Sequence, residues 1–490
     1  SIDSKLISSQ SNSTLSRALE GAIPGLQVAS IDGQPGVDMG IRVRGIGSGT
    51  QNNSDALIVI DGVPNTNSNA LSSLNPKDIE SITVLKDAAS TALWGSRGAN
   101  GVVMVTTKKG QQGRAKVTFE GRWGINQQGP FTYEKIDDPA SLYEWAWQSI
   151  YNTARFYGGK DFTTNVKNPN MSHEEAALFA SQHLFDAPAL GKTSGFAQND
   201  LGNYMLYNVP GAKYISTGSG SSASSTMTGA YLIDPMTGKL NPNAELLYWD
   251  PWDGHFLQNR FRQEYNVSVS GATDKTDYFI SAGYLEDPSY IQGSQFNRYN
   301  VRSNINSQIT KWLKAGINMA YSRRAVQSPA TRYGRNPGSA VANVFRWVNG
   351  QSALIPLFQR NADGSYILDA AGNKQYTSAA EQNGSVVGPT GGPTSTANLD
   401  YILNHDKDET ISNDINIRGY VEAKFLKDFT FQANLSTDQT FAMRSRYWNP
   451  VTGSAVSTSG AWGQNYSEYN NINTQQTLNW AHDYGKHHVD

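Results

Sequence analysis

The sequence predicts a transmembrane antiparallel β-barrel entered from a small mixed α/β unit. Three observations lead there. After Ala115 the apolar residues alternate with polar ones at period two, the pattern of strands that show different faces to two environments. The connections between those stretches are long and short in turn, as in barrels with short turns at one end and long loops at the other. Residues 1–112 follow another grammar, with short helices and short strands. Composition agrees: 11 Trp, 24 Tyr and 46 Gly accompany only 38% hydrophobic residues.

Within 1–112, Thr14 is placed to cap a short helix over LSRALE that stops at Gly21. MGIRVRGI and LIVIDGVP read as strands, the second ended by Asp61-Gly62-Val63-Pro64. Asn75 before Pro76 starts a brief helical turn. SITVLK is a strand, Asp87 caps the helix AASTALW, Gly95 closes it in the left-handed region, and GVVMVTT is the next strand.

The barrel strands are expected at 115–124, 265–271, 278–285, 298–309, 313–322, 411–425, 429–437 and 470–482. The clearest is the fourth. Tyr299, Val301, Ile305 and Ile309 share one face, and Asn300, Arg302, Asn304, Asn306 and Gln308 the other. Tyr265, Tyr284, Trp312, Tyr321 and Trp480 lie near strand ends, where barrels carry interfacial aromatic girdles. The domains are therefore 1–112 and 113–490, the second with long extracellular loops at 125–264, 323–410 and 438–469.

Several function classes are excluded or lack support. Cysteine is absent, which removes thiol catalysis, thiolate metal sites and disulfides. A net charge of −2 gives no pull towards nucleic acid or anionic lipid. There is no run of 18 apolar residues, hence no transmembrane helix. Gly95, Gly98 and Gly101 follow a helix and precede a strand, the reverse of the order a dinucleotide fingerprint needs; RGIGSGT, Arg44–Thr50, fails similarly. HEEAALFASQH puts His183 ten residues after His173, not the four of a zincin helix. In GKT, Gly191–Thr193, Asp186 occupies the first P-loop glycine position, and DKDET, Asp406–Thr410, lacks a calcium loop's sixth-position glycine. No G-x-S-x-G elbow exists. No catalytic residue, cofactor site or metal site is expected, and residues 215–229 read as low-complexity loop.

An α/β unit feeding a barrel is similar to a TonB-dependent outer-membrane transporter, whose plug fills its barrel. More narrowly, the chain resembles the SusC/RagA branch of Bacteroidetes. The segments that carry this are ALEGAIPGLQV (18–28), IRVRGIGS (41–48), ALIVIDGVP (56–64), LNPKDIESITVLKDAASTALWGSRGANGVVMVTTKKG (74–110), QEYNVSVSGATDKTDYFISAGYLED (263–287) and RYNVRSNI (298–305). Trp94 stands where that family more often has Tyr.

The resemblance implies a plug over 1–112 and active import of glycan fragments or oligopeptides across the outer membrane. It also implies a SusD-like surface lipoprotein as lid, TonB with ExbB/ExbD as energy source, outer-membrane lipid around the wall, and a possible dimer of transporter–lid pairs. It implies no enzyme and no nucleic-acid partner. A soluble extracellular β-rich adhesin or glycan-binding protein is the alternative.

Eight strands have an interior that their own side chains fill, whereas plugged transporters have about 22. The sequence is therefore expected to be a fragment, continuing past Asp490 and upstream of Ser1, where the TonB box would lie. Arg42, Arg44 and Arg97 are the candidates to meet polar wall residues such as Arg302, Asn304 or Asn306 through bridging groups. Tyr248, Trp249, Asp250, Trp252 and Asp253, in LLYWDPWDGHF, are candidates to contact substrate or lid, or to anchor their own long loop.

Overall fold

The computed structural model describes residues 2–3, 7, 10, 12–29, 34–43, 45, 55–65, 70–130, 134, 136, 138–156, 171–185, 205–217, 224–251, 253–329, 344, 356–361, 363–377, 398–451, 455, 458–484 and 487–489. The first unit contains β1 (Ile2–Asp3), α1 (Leu15–Ala18), β2 (Leu26–Ala29), β3 (Gly40–Val43), β4 (Leu57–Ile60), β5 (Val63–Asn65), α2 (Ala70–Ser73), β6 (Ile79–Leu85), α3 (Ala88–Thr91) and β7 (Val102–Thr107). Five of these strands form a sheet in the order β1-β6-β7-β4-β5, in which β4 and β7 run parallel. Its core gathers Leu15, Leu19, Ile41, Val43, Ile79, Ile82, Val103 and Val105.

Local chemistry explains most of these elements. Asn75 accepts from the Lys77 N–H and opens a 3-10 turn at Pro76–Asp78. The Asp87 carboxylate accepts from the Ser90 N–H at 2.8 Å, satisfying a donor that a helix start leaves free. Two expectations need correction. Thr14 is extended and makes no side-chain cap; its hydroxyl lies 3.0 Å from Ser16 Oγ instead. Gly95 has positive φ, but its ψ of −146° lies outside the left-handed helical region, and a 3-10 turn continues to Gly98. Gly101, with φ 90°, is obligatory: a Cβ there would sit 2.7 Å from that of Val43.

The second unit is an eight-stranded antiparallel wall of β8 (Gly113–Asn126), β13 (Arg260–Ala272), β14 (Thr276–Pro288), β15 (Gln295–Gln308), β16 (Leu313–Ser328), β17 (Lys407–Phe425), β18 (Phe429–Trp448) and β19 (Ala461–Trp480). They pair in chain order from β8 to β19. The wall is thus an open, partial barrel with β8 and β19 at its edges. A small pair, β20 (His482–Tyr484) and β21 (His487–Val489), follows.

The strands outrun their expected limits. The segment 438–469, expected as a loop, is largely strand: β18 runs to Trp448 and β19 begins at Ala461. Likewise β16 reaches Ser328 and β17 starts at Lys407, so the other long loops shrink at both ends. The physical reason is that apolar alternation marks only the lipid-facing height of a strand, while the backbone ladder continues beyond it. At the other end the turns are tight. Leu426 and Lys427 both take positive φ in the three-residue turn, Leu426 to Asp428, that joins Phe425 to its partner Phe429.

The polarity of the wall is inverted relative to a soluble sheet. On β15, Arg298 and Asn304 are each 1% exposed, whereas Tyr299 is 48% and Val301 51% exposed. Trp123, Tyr265, Tyr284 and Tyr299 touch in series across β8, β13, β14 and β15 on the outer face, forming one level of girdle. Trp312 sits in the β15–β16 turn and Trp480 pairs with Phe429 at the opposite end.

Ile317 lies on the outer face between these levels. Ile317→Arg should therefore cost about 2–4 kcal/mol of folding free energy in lipid vesicles. An unchanged folding equilibrium would place Ile317 away from lipid.

Candidate functional site

The inner face of the wall carries the side chains that hold the plug. Arg298 donates from Nη1 to the Ser13 carbonyl at 3.1 Å and the Leu74 carbonyl at 3.0 Å, so one guanidinium grips two plug segments. Arg302 lies 3.7 Å from Asp78, whose other oxygen accepts from Ser281 at 2.7 Å. Asn304 donates to Thr107 Oγ1 and the Lys108 carbonyl. Asn75 of the plug donates to Asn266 and Asn300, and Lys77 pairs with Glu120 at 2.6 Å. Arg122 donates to the Gln10 carbonyl.

A second chain of contacts crosses the same boundary. Arg324 is held by Asp414 at 2.8 and 3.2 Å and donates to Ser72 Oγ. The Ser72 N–H in turn donates to Asp38 Oδ2 at 2.7 Å, while Ser16 donates to Asp38 Oδ1 at 3.0 Å. Burial pushes the Asp38 carboxyl up to about 6, against the pull of the Ser72 N–H and Arg324. Burial likewise raises Asp78, with Arg302 and Ser281 opposing. Close approach adds to the polar contacts: Gly36, with φ 78°, packs directly against the Phe296 ring.

The two expected plug arginines that are described, Arg42 and Arg97, make no ion pair with the wall among the described residues. Arg42 pairs inside the plug with Asp55 at 3.7 Å. Arg97 is exposed, and Arg44 lies outside the described residues. The wall's arginines reach into the plug instead, onto carbonyls and onto Asp78. The signal was present in the sequence, since Arg298 shares the parity of Arg302, Asn304 and Asn306. It sits at the polar end of its strand, where the outward alternation gives less guidance.

Above the wall the long connections build a folded cap. The first contains α4 (Pro139–Phe156), α5 (His173–Gln182), β9 (Tyr207–Asn208), β10 (Lys213–Thr217), β11 (Ser224–Thr228), β12 (Glu245–Leu246) and α6 (Asp253–Phe256); the second adds α7 (Leu399–His405). They share one core, with Tyr143, Trp147, Phe185 and Phe256 from the first and Leu357, Leu399 and Ile402 from the second. Ser172 and Glu175 form a reciprocal capping box on α5, so the zincin-like motif is an ordinary helix whose His173 meets the Tyr151 hydroxyl at 2.7 Å. The stretch expected as low-complexity loop contains the paired strands β10 and β11. GKT lies outside the described residues.

The aromatic–acidic cluster is mostly an anchor. Tyr248 is buried in the cap core. Asp250 pairs with Arg360 at 2.7 Å, and that guanidinium lies over the Tyr248 and Tyr366 rings at 4.9 and 3.6 Å. Trp249 is 39% exposed. Trp252 lies outside the described residues, and Asp253 begins α6.

Comparison with known proteins follows the same division. The profile of the TonB-dependent Receptor Plug Domain matches residues 1–102. TonB-dependent receptor SusC of Bacteroides thetaiotaomicron is 50% identical over 110 residues, 21% of this chain and 11% of its own length. Residues 1–102 thus carry a TonB-dependent receptor plug domain, and the chain is similar to receptors of the SusC/RagA type.

TonB-dependent receptor P3 of Formosa agariphila is 26% identical to this chain over 361 residues, 73% of this chain and 26% of its own. The RagAB peptide importer in its closed-closed state superposes with a TM-score of 0.62 at 20% identity, covering 98% of this chain and 45% of that one. The chain thus spans less than half the length of these relatives.

Two outcomes are expected of this protein. Arg298→Ala removes charge-assisted bonds worth about 1.5–3 kcal/mol each, so protease should cut the plug near Ser13 and Leu74 faster in the detergent-solubilised receptor, with Arg298→Lys only partly restoring protection. Equal cleavage rates would deny Arg298 its clamp role. Deleting 325–405 strips Leu357, Leu399 and Ile402 from the shared core, so hydrogen exchange along α4 should rise sharply. Unchanged protection of Tyr143–Ile150 would mean that the first connection folds by itself.

Proposed function

We propose that this receptor takes part in TonB-dependent active import of a large nutrient, a glycan fragment or oligopeptide, across the outer membrane. The observation that carries the reading is a plug bound through a row of guanidinium and amide groups to the inner face of a wall whose outer face is apolar. A plug held by many polar contacts blocks passive flow yet can be displaced by applied force, because each bond costs little to exchange with water. TonB, coupled through ExbB/ExbD to the proton gradient, supplies that force in this reading.

The folded cap supports a surface lipoprotein of the SusD kind as partner. A preformed shared core presents one platform to a lid and avoids the ordering cost that separate loops would incur on binding. In this proposal residues 1–112 are the plug and 113–490 the barrel portion, and two transporter–lid units pair. The alternative, a soluble adhesin, is disfavoured by exposed Val301, Ile317 and Leu435 on the outer face, which need lipid or detergent to cover them.

The test uses the full-length receptor with its neighbouring lipoprotein. Mass spectrometry of material that co-purifies from the native membrane should find a defined set of oligosaccharides or peptides. Uptake of that material should stop when the proton gradient is collapsed. Uptake that continues without TonB, or a receptor soluble without detergent, would overturn the reading.

A further inference from the structure

We propose that the passage for substrate opens between the plug's edge hairpin, β4–β5, and the inner face of β15–β18, at a polar cavity that Arg418 closes. This rests on the import reading above and names where it would act.

The cavity has a volume of about 40 Å³ and is lined by Asp61, Asn65, Arg302, Asn318, Arg418 and Asp438, among others. That is room for about three waters. Nε of Arg418, Oδ1 of Asn318 and Oγ of Ser436 are buried there and make no hydrogen bond among the described residues, and Arg302 Nε has only the Asp78 carboxylate, 3.7 Å away. Buried polar groups in that state are costly when dry. The same groups are ready to solvate a polar chain. Guanidinium, carboxylate, amide and hydroxyl occur together, so the lining suits an uncharged or zwitterionic chain rich in hydroxyl or amide groups.

The plug is built to yield at this place. β5 is the outermost strand of its sheet and pairs only with β4, over Ile58–Asn65, Val59–Pro64 and Ile60–Val63. Pro64 has no N–H to contribute to that ladder. Peeling β5 away therefore leaves the β1-β6-β7-β4 core intact. The turn between the strands, Asp61-Gly62, takes φ of 47° and 84°. Its Asp61 carboxylate is tied to Thr107 N and Oγ1 at 2.8 and 2.7 Å, which keeps the turn on the plug core as a pivot. From the wall, Arg418 donates to the Asp61 carbonyl and to Asn434 Oδ1.

The opposite flank is bound differently. There, on β8 and β13, Glu120 pairs with Lys77 at 2.6 Å, Arg122 donates to the Gln10 carbonyl, and Asn266 accepts from Asn75. Direct clamps on one flank and a cavity at a sheet edge on the other make the edge the first place to part under load.

The experiment reads thiol exposure in living cells. Residues 1–490 contain no cysteine, so Asn318→Cys in the full-length receptor, with any cysteine elsewhere removed, places one reactive thiol in the cavity. A membrane-impermeant maleimide on a short polyethylene glycol is added with and without an uncoupler. Asn266→Cys reports the clamped flank, and Ser436→Cys is a second cavity position should Asn318→Cys misfold, judged by heat-shifted electrophoretic mobility. The expected result is at least tenfold faster labelling at the cavity when cells are energised, with no such change at position 266. Energy-dependent labelling at 266 but not in the cavity overturns the proposal while leaving import intact. No energy dependence at either flank overturns both.

Discussion

The structure depends on one constraint: a sheet in lipid must turn its apolar side chains outward, and its inner face then needs another partner. Arg298, Arg302 and Arg324 on β15 and β16 are the sharpest expression of it. A guanidinium cannot be left dry without hydrogen-bond partners. The plug supplies them, as backbone carbonyls at Ser13 and Leu74 and as the Ser72 hydroxyl, and sets the Asp78 carboxylate 3.7 Å from Arg302 as its counter-charge. Wall and plug are therefore specified together, and neither sequence makes physical sense alone.

That dependence explains what could be read in advance. The wall strands were legible because period-two alternation is a local property, visible in Tyr299–Gln308 without any knowledge of neighbours. Their ends were not, because 438–448 and 461–469 continue the ladder after the apolar signal stops. Within the plug, Asn75 and Asp87 announced their caps through side-chain chemistry. Thr14 did not cap, because its hydroxyl lies against Ser16 in a buried network that includes Asp38.

The site was half legible, and the reason is directional. Charged plug residues drew attention as candidates for the wall, yet Arg42 found Asp55 close by. The groups that cross the boundary are wall arginines reaching plug carbonyls, and a carbonyl carries no mark in the sequence. The aromatic cluster shows the same limit. Tyr248 and Asp250 serve the cap through Arg360, a residue about 110 positions away whose role depends on the fold.

The most direct test of this account is a cryo-electron microscopy structure of the full-length receptor in a lipid nanodisc. It should show residues 1–112 inside the barrel, with the Arg298 guanidinium on the Ser13 and Leu74 carbonyls and Ile317 facing lipid. A plug folded outside the wall, or Arg298 turned to bulk water with those carbonyls bonded elsewhere, would contradict it.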